Sequence, residues 1–204
     1  MRLLALLLAL LVLALSPAAA AVVKASVADA EGKPVEDAVV FVYESKGPVS
    51  APKEPLVIDQ VDKEFVPHLL PVVVGSQVRF PNKDDIHHEI YSFSAAKTFE
   101  QPLYKGEPAA PLLFDKPGVV KLGCNIHDWM SGVILVLPNK YFAKTGADGN
   151  AELDVPEGAE LAVFHERLKG SVDDTKLKPD GGAASWKLAL KAAKKKKRTE
   201  IQYQ

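Results

Sequence analysis

Short runs of apolar residues, each interrupted by glycine, proline, aspartate or asparagine, recur along most of the chain. Runs of this kind lie at 38–44, 72–80, 118–123 and 132–138, and β-branched residues are frequent in them. The last candidate, at 186–191, alternates apolar and polar positions with the period of two that is typical of a half-buried strand. No stretch shows three helical turns of apolar residues at 3.6 spacing. The pattern therefore predicts an all-β protein with sandwich architecture.

The N-terminal segment departs from this pattern. One arginine precedes an apolar run at 3–15, and small residues follow up to Ala21. This layout is that of a secretory signal peptide with cleavage after Ala20 or Ala21. The alternative is an uncleaved membrane anchor, but the run is shorter than the roughly 20 residues that span a bilayer. We therefore expect a mature protein without a membrane span in an oxidising compartment, the periplasm of a Gram-negative bacterium.

The two ends of the mature chain carry complementary patterns of strands and turns. Residues 23–43 read as strand, D-x-x-G-x-P turn and strand, and residues 142–164 continue with T-x-x-D-G and P-x-G turns between strands. Together they resemble the carboxypeptidase-regulatory or transthyretin-like sandwich, which implies that a second β domain is inserted in a loop of the first. The alternative is one larger sandwich with decorated ends. The predicted division is a signal peptide at 1–21, a discontinuous flanking sandwich at 22–54 and 139–192, an inserted domain at 55–138, and a basic tail at 193–204.

Charge is divided unevenly along a chain whose net charge is only −1 and whose 48% hydrophobic content is that of a globular protein. Residues 22–190 hold 18 basic and 25 acidic residues, a net charge of −7, whereas residues 191–204 hold six basic and one acidic, a net charge of +5. The tail is predicted to be either a solvated terminus or an arm that contacts an acidic partner or anionic lipid. An exported protein is not expected to bind nucleic acid.

The rarest residues exclude several classes of site. The chain has one cysteine and five histidines. A single cysteine excludes intrachain disulfides, CxxC redox motifs and sites that need several thiolates. Five histidines without a His-x-His pair are too few for a trinuclear copper centre. No nucleophile elbow, HExxH or P-loop motif is present, so we do not expect an enzyme.

A thiolate, an imidazole and a thioether lie close together on one predicted loop. Cys124, His127 and Met130 have C-x2-H-x2-M spacing, and Met130 is the only methionine of the mature chain. Upstream, His87 and His88 lie where a strand resumes after a turn. Two imidazoles, one thiolate and a weak axial methionine are the donor set of a type 1 copper site. The sequence therefore predicts one bound copper ion.

The loop and its surroundings resemble a known family. The C-x2-H-x2-M loop preceded by F-x-x-P-G resembles that of cupredoxins of the plastocyanin and amicyanin type. The wider pattern at 79–142, which includes FPN-x-D-x-x-HH-x-x-YSFS and LGCNIHDWM, is similar to exported cupredoxins labelled methylamine-utilisation-like. The resemblance implies a Greek-key cupredoxin sandwich, blue-copper electron transfer as the activity, and transient contact with redox partner proteins.

The resemblance also implies a ligand for each coordination position. Cys124 corresponds to the thiolate ligand, His127 to the second imidazole and Met130 to the axial ligand. His88 corresponds to the first imidazole, because His88 and the two residues after it lie where cupredoxins have His-Asn-Val. His87 is the alternative to His88.

Two further features concern the surroundings of these ligands. Ile126 and Trp129 are predicted to share in an apolar patch around His127 at which redox partners dock. Glu89 replaces the asparagine that the family has after the first histidine ligand. A carboxylate directed at the metal there favours Cu(II) and lowers the reduction potential.

Other interpretations of the same sequence remain open. A copper carrier or chaperone would use the same ligands without cycling electrons, and a structural sandwich protein would carry the metal loop as a vestige. His68 and His165 have no potential ligand close by in sequence, so they are predicted to be core or surface residues.

Overall fold

The computed structural model describes residues 20–44, 49–108 and 110–193 of the chain. Within these ranges the regular elements are β-strands and one short 3-10 helix, η1 (Val172–Thr175), so the predicted all-β class is confirmed. No helix in the described ranges has the length and apolar character needed to cross a membrane. The predicted signal peptide, apart from its last two residues, and the basic tail, apart from its first, lie outside the described residues.

The strands of the described chain are short, and most have three to eight residues. In chain order they are β1 (Ala20–Asp29), β2 (Val39–Val42), β3 (Leu56–Val57), β4 (Asp59–Val61), β5 (Glu64–Val66), β6 (Leu69–Val73), β7 (Ser76–Arg79), β8 (His88–Ser94), β9 (Lys97–Tyr104), β10 (Leu112–Phe114), β11 (Gly118–Gly123), β12 (Ser131–Leu137), β13 (Phe142–Lys144), β14 (Asn150–Pro156), β15 (Leu161–Phe164) and β16 (Ala183–Leu188).

Strands from the two ends of the chain pair with one another, and strands from its middle do the same. The end strands form two three-stranded sheets, with the orders β14–β1–β16 and β13–β2–β15. The middle strands form a five-stranded sheet, β6–β12–β11–β8–β9, a three-stranded sheet, β10–β7–β3, and the hairpin β4–β5. The change from one group to the other falls near the predicted domain boundaries, and the domain division itself stays a prediction.

One apolar run forms two strands rather than the single strand that the pattern predicts. The run at 72–80 is divided between β6 and β7 by a turn at Gly75, whose φ is +88°. Glycine adopts this left-handed conformation without the steric cost that a side chain brings. The period of the apolar residues alone does not reveal such a turn, because apolar residues occur both before and after it.

The sheets are stacked in layers, and the inner layers are buried on both faces. In β2, Val40 packs in a core with the end strands, whereas Phe41 packs in a second cluster that includes residues of β12. In β12, Leu135 belongs to that second cluster and Ile134 to the core of the middle strands. Continuous apolar runs, as in β2 and β12, are typical of strands with both faces buried. The second cluster therefore joins the two groups of sheets.

Candidate metal centre

Two neighbouring strands of the five-stranded sheet bring the predicted ligands together. Strand β8 begins at His88, and β11 ends at Gly123, directly before Cys124. The two strands pair at Gly123 and Tyr91. A Cβ atom on Gly123 would lie 2.6 Å from Cζ of Tyr91, so the tyrosine ring occupies the space that a side chain would need. The absence of a side chain at Gly123 thus permits close packing beside the strand end that leads to Cys124.

An irregularity in the sheet lies beside His88. The register between β8 and the edge strand β9 shifts between His88 and Ile90, opposite a segment of β9 that contains Pro102. Proline has no N–H group to donate to a ladder, and such residues occur at edges and bulges. Bulges redirect the side chains beside them. Here His88 and Ile90 are both fully buried.

Cys124, His88 and His127 form a buried cluster with the dimensions of a metal site. Sγ of Cys124 lies 3.8 Å from Nδ1 of His88 and 3.9 Å from Nδ1 of His127, and the three candidate ligand atoms all lie within 4.8 Å of one another. With metal–sulfur and metal–nitrogen bonds of about 2.3 and 2.0 Å, sulfur and nitrogen are about 3.5 Å apart at a tetrahedral angle and about 3.7 Å apart at 120°. The observed separations therefore place the three atoms within reach of one metal ion.

The surroundings of Cys124 favour its thiolate. Burial by itself raises the pKa of the thiol, but the contact with His88 and the backbone N–H groups of Ile126, Glu89 and His127 outweigh burial, so the pKa is lowered. The thiolate is the form of cysteine that binds metals. The sulfur is thus prepared to act as a ligand.

The other ring nitrogen of His88 contacts a carboxylate. Nε2 of His88 lies 2.7 Å from Oδ2 of Asp84. The carboxylate also accepts the backbone N–H groups of Asp62 at 2.7 Å and of Lys63 at 2.9 Å. Burial by itself raises the pKa of Asp84, but the bond from His88 and these two N–H groups outweigh it, so the pKa is lowered. An ionised Asp84 accepts a hydrogen bond from Nε2–H, which leaves Nδ1 of the neutral imidazole free to bind a metal.

The pKa of His88 shifts in the opposite direction to the pKa values of Cys124 and Asp84. Burial lowers the pKa of the imidazole, but the contacts with Cys124 and Asp84 outweigh burial, so the pKa is raised. His88 therefore lies between two groups that carry or favour negative charge.

Glu89 makes its side-chain hydrogen bond to a residue outside the ligand set. Its carboxylate accepts a hydrogen bond from the side-chain amide of Asn125, the residue after Cys124. The contact ties the start of β8 to the loop that follows β11. The carboxylate that touches a predicted ligand is therefore that of Asp84.

The remaining predicted residues lie on the same loop. Met130 is 2% exposed, packs in the same core as Cys124, and donates its backbone N–H to the carbonyl of His127 at 2.9 Å. The rings of His127 and Trp129 are 5.1 Å apart, and Trp129 and Ile126 are both half-buried. The loop therefore has partly exposed apolar residues on either side of His127.

The other three histidines lie outside the cluster. His87 is exposed, although it is adjacent to His88. Nε2 of His68 lies 2.7 Å from Oε2 of Glu166, and both residues line a cleft of about 330 Å³ together with the buried His165.

Asp84 is a residue of the site that the sequence patterns do not single out. It belongs to the FPN-x-D-x-x-HH motif, four residues before His88, and that spacing was the one available signal. Its contact with the imidazole depends on the path of the loop at 80–87 and on the position of the β4–β5 hairpin, neither of which residue patterns reveal.

Similar solved structures are found among cupredoxins. A reduced tryptophan-to-tyrosine mutant of amicyanin is 22% identical over 50% of this chain and 100% of that chain, with a TM-score of 0.39. A methionine-to-alanine mutant of amicyanin in the Cu(I) state is 23% identical over 41% of this chain and 82% of that chain, with a TM-score of 0.38. A purple cupredoxin from Nitrosopumilus maritimus is 25% identical over 40% of this chain and 96% of that chain, with a TM-score of 0.35.

No family model and no curated protein matches the chain. The solved neighbours named above belong to the fold family that the ligand loop resembles. The exact family of this chain and the carboxypeptidase-regulatory-like identity of its flanking sheets stay predictions.

Proposed function

We propose that the protein is an exported type 1 copper protein that transfers single electrons between redox partners. The observation that carries the proposal is the buried cluster of one thiolate and two imidazole nitrogens, with sulfur–nitrogen separations of 3.8 and 3.9 Å. Trigonal His2Cys sites with a weak axial methionine are those of blue-copper electron carriers. In this proposal His88, Cys124, His127 and Met130 are the ligands, and His87 is not.

The donor set fits copper better than zinc. Structural zinc sites take four strong ligands in tetrahedral geometry, whereas this cluster offers three, with the thioether of Met130 as the proposed fourth. Thiolate and thioether sulfur suit Cu(I), and imidazole suits copper in both oxidation states. Bound copper would supply a one-electron couple between Cu(II) and Cu(I).

The protein around the cluster supports electron transfer rather than substrate chemistry. Both imidazoles of the ligand set are buried, since His88 is 0% and His127 only 7% exposed. With Met130 as a fourth ligand, the chain itself would fill the coordination positions, so a substrate would find none open. Partner proteins would instead dock at the patch formed by Ile126, His127 and Trp129, where the edge of a ligand lies nearest the surface.

The proposal includes the predicted organisation of the chain. The flanking sandwich comprises 22–54 and 139–192, and the copper domain comprises 55–138. The strand pairing supports this division, because end strands and middle strands form separate sheets. The apolar run and small residues at 1–21 support export to the periplasm.

The first test is the visible absorption spectrum of the full-length protein after addition of Cu(II). We expect an intense thiolate-to-copper band that saturates at one copper per chain. Cys124→Ser and His88→Gln should abolish the band, whereas His87→Gln, which alters an exposed neighbour, should retain it. Voltammetry of the loaded protein should show a reversible one-electron couple.

The outcomes separate the alternatives. A colourless protein that ignores Cu(II) would contradict the proposal and favour a structural sandwich. A copper-loaded protein without a reversible couple would favour a copper carrier. Loss of the band in His87→Gln but not in His88→Gln would transfer the first imidazole position to His87.

A further inference from the structure

The carboxylate of Asp84 is held in a position that the two neighbouring acids do not share. Asp85 is exposed, and the carboxylate of Glu89 contacts Asn125. Asp84, with a side chain only 12% exposed, instead lies against the fully buried imidazole of His88. The structure therefore distinguishes one acid of this segment from those beside it.

A tight hairpin turn holds this carboxylate. Strands β4 and β5 are joined by Asp62 and Lys63, whose φ values are +53° and +60°. Two consecutive residues with positive φ are typical of the two-residue turns of β-hairpins. Successive backbone N–H groups in such turns form concave sites for anions. Here both N–H groups donate to Asp84, so the backbone of the turn holds the carboxylate.

The loop between Asn82 and His88 is also held by hydrogen bonds at Asn82. The side chain of Asn82 donates to the carbonyl groups of Ile86 and Tyr104 at 2.9 and 3.0 Å, and its oxygen accepts the N–H of Asp84 at 3.0 Å. The backbone and the side chain of Asp84 are therefore both fixed before any metal binds.

We propose that Asp84, seated on the turn of the β4–β5 hairpin, is the positioning residue of the metal centre. It holds the proton of His88 on Nε2, keeps Nδ1 directed at Cys124 in the metal-free chain, and makes His88 a stronger ligand for the more highly charged copper ion. The effect of Asp84 on copper rests on the proposed function, whereas the effect of Asp84 on the imidazole does not.

The physical reason for an effect on copper is the charge of the carboxylate. A hydrogen bond from a ligating imidazole to a carboxylate raises the basicity of the imidazole. The added negative charge stabilises Cu(II) more than Cu(I), because Cu(II) carries the greater positive charge. Asp84 thus favours Cu(II) and lowers the reduction potential, which is the effect that the sequence pattern predicts for Glu89.

The test compares Asp84→Asn with Asp85→Asn, which removes the same charge one residue further along. In the metal-free protein, at a pH above the raised pKa of His88, ¹⁵N NMR should show the proton on Nε2 in the wild type and a mixture of tautomers in Asp84→Asn. After loading, Asp84→Asn should bind Cu(II) about 10- to 100-fold more weakly. Its reduction potential should rise, by about 60 mV for each tenfold loss of Cu(II) over Cu(I) affinity. Asp85→Asn should match the wild type in all three measurements.

A second control concerns the hairpin. The variant Asp62→Asn retains both N–H groups and suits positive φ, so its tautomer should equal that of the wild type. Circular dichroism of each variant establishes that the fold is retained.

The inference would be overturned if Asp84→Asn and Asp85→Asn gave the same tautomer ratio and the same potential. Failure of the proposed function would look different. In that case the wild type would bind no copper and show no visible band, while the tautomer measurement on the metal-free protein would still decide the role of Asp84.

Discussion

At the scale of single residues, His165 shows how burial controls the charge of a side chain. It follows β15, is only 6% exposed, and accepts the backbone N–H of Arg167 on Nδ1 at 3.2 Å. Burial lowers the pKa of the imidazole, and Arg167 lowers it further, whereas Glu166 and Asp37 oppose the shift. His165 is therefore neutral at pH 7.

This pKa shift predicts a loss of stability in mild acid. His165 keeps its usual pKa of about 6.5 in the unfolded chain, so the unfolded state binds more protons below that pH. The free energy of unfolding should fall as the pH drops below about 6.5, by at most about 1.4 kcal/mol per pH unit for this one group. Urea unfolding between pH 7 and 5 measures the slope, and His165→Gln should make it shallower.

The control for this prediction is a substitution that removes no titratable group. Leu113→Ala, at a position that is 43% exposed, should keep the wild-type slope. Equal slopes for the wild type and His165→Gln would contradict the account.

At the scale of elements, the turn between β13 and β14 depends on a glycine. Gly149 has a φ of +73°, and its carbonyl accepts the N–H of Val27 in β1 at 2.8 Å. A Cβ atom at this position would lie 2.5 Å from the carbonyl oxygen of Val27. The residue therefore combines a left-handed backbone with close contact to the neighbouring strand.

Gly149→Ala should destabilise the protein by about 2–5 kcal/mol, since left-handed strain adds to a steric clash with backbone that has little freedom to move. The matched control is Gly158→Ala, because Gly158 has the same φ of +73° but a Cβ atom added there would meet no atom within 4 Å. It should cost only about 1–2 kcal/mol. Chemical denaturation measures both variants, and equal losses would show that the contact with Val27 is unimportant.

At the scale of the whole molecule, the two groups of sheets share a buried apolar layer. Strands β2 and β15 contribute Phe41 and Phe164 to it, and β6 and β12 contribute Leu69 and Leu135. Burial of apolar surface between them is the dominant favourable term in such packing. The two groups of sheets are therefore expected to unfold together.

Leu135→Ala should lower the free energy of unfolding by about 2–5 kcal/mol, because it opens a cavity between the two groups of sheets. Leu113→Ala, at a position that is 43% exposed, should change it by about 0.5 kcal/mol or less. Differential scanning calorimetry should show a single transition that moves to lower temperature in Leu135→Ala. Two separate transitions, only one of which moves, would contradict the shared layer.

Local sequence patterns were sufficient to predict much of the fold and the donor types of the site. Strand β11 coincides with its predicted run at 118–123, because alternation and the flanking turn residues mark both ends. The spacing of Cys124, His127 and Met130 is likewise local, so a single loop displays it. Patterns failed at Gly75, where the chain turns within a run that has apolar residues before and after the glycine.

By itself, the sequence determined the β class, the ends of several strands and the presence of one thiolate among imidazole and thioether donors. Only the tertiary structure decided that β2 and β12 are buried on both faces, and that Asp84 rather than Glu89 contacts His88. The physical reason is the distance along the chain over which each interaction acts. Strand periodicity and ligand spacing depend on neighbours along the chain, whereas a carboxylate reaches an imidazole through the packing of a distant hairpin, and a strand acquires its second buried face only when another sheet packs on it.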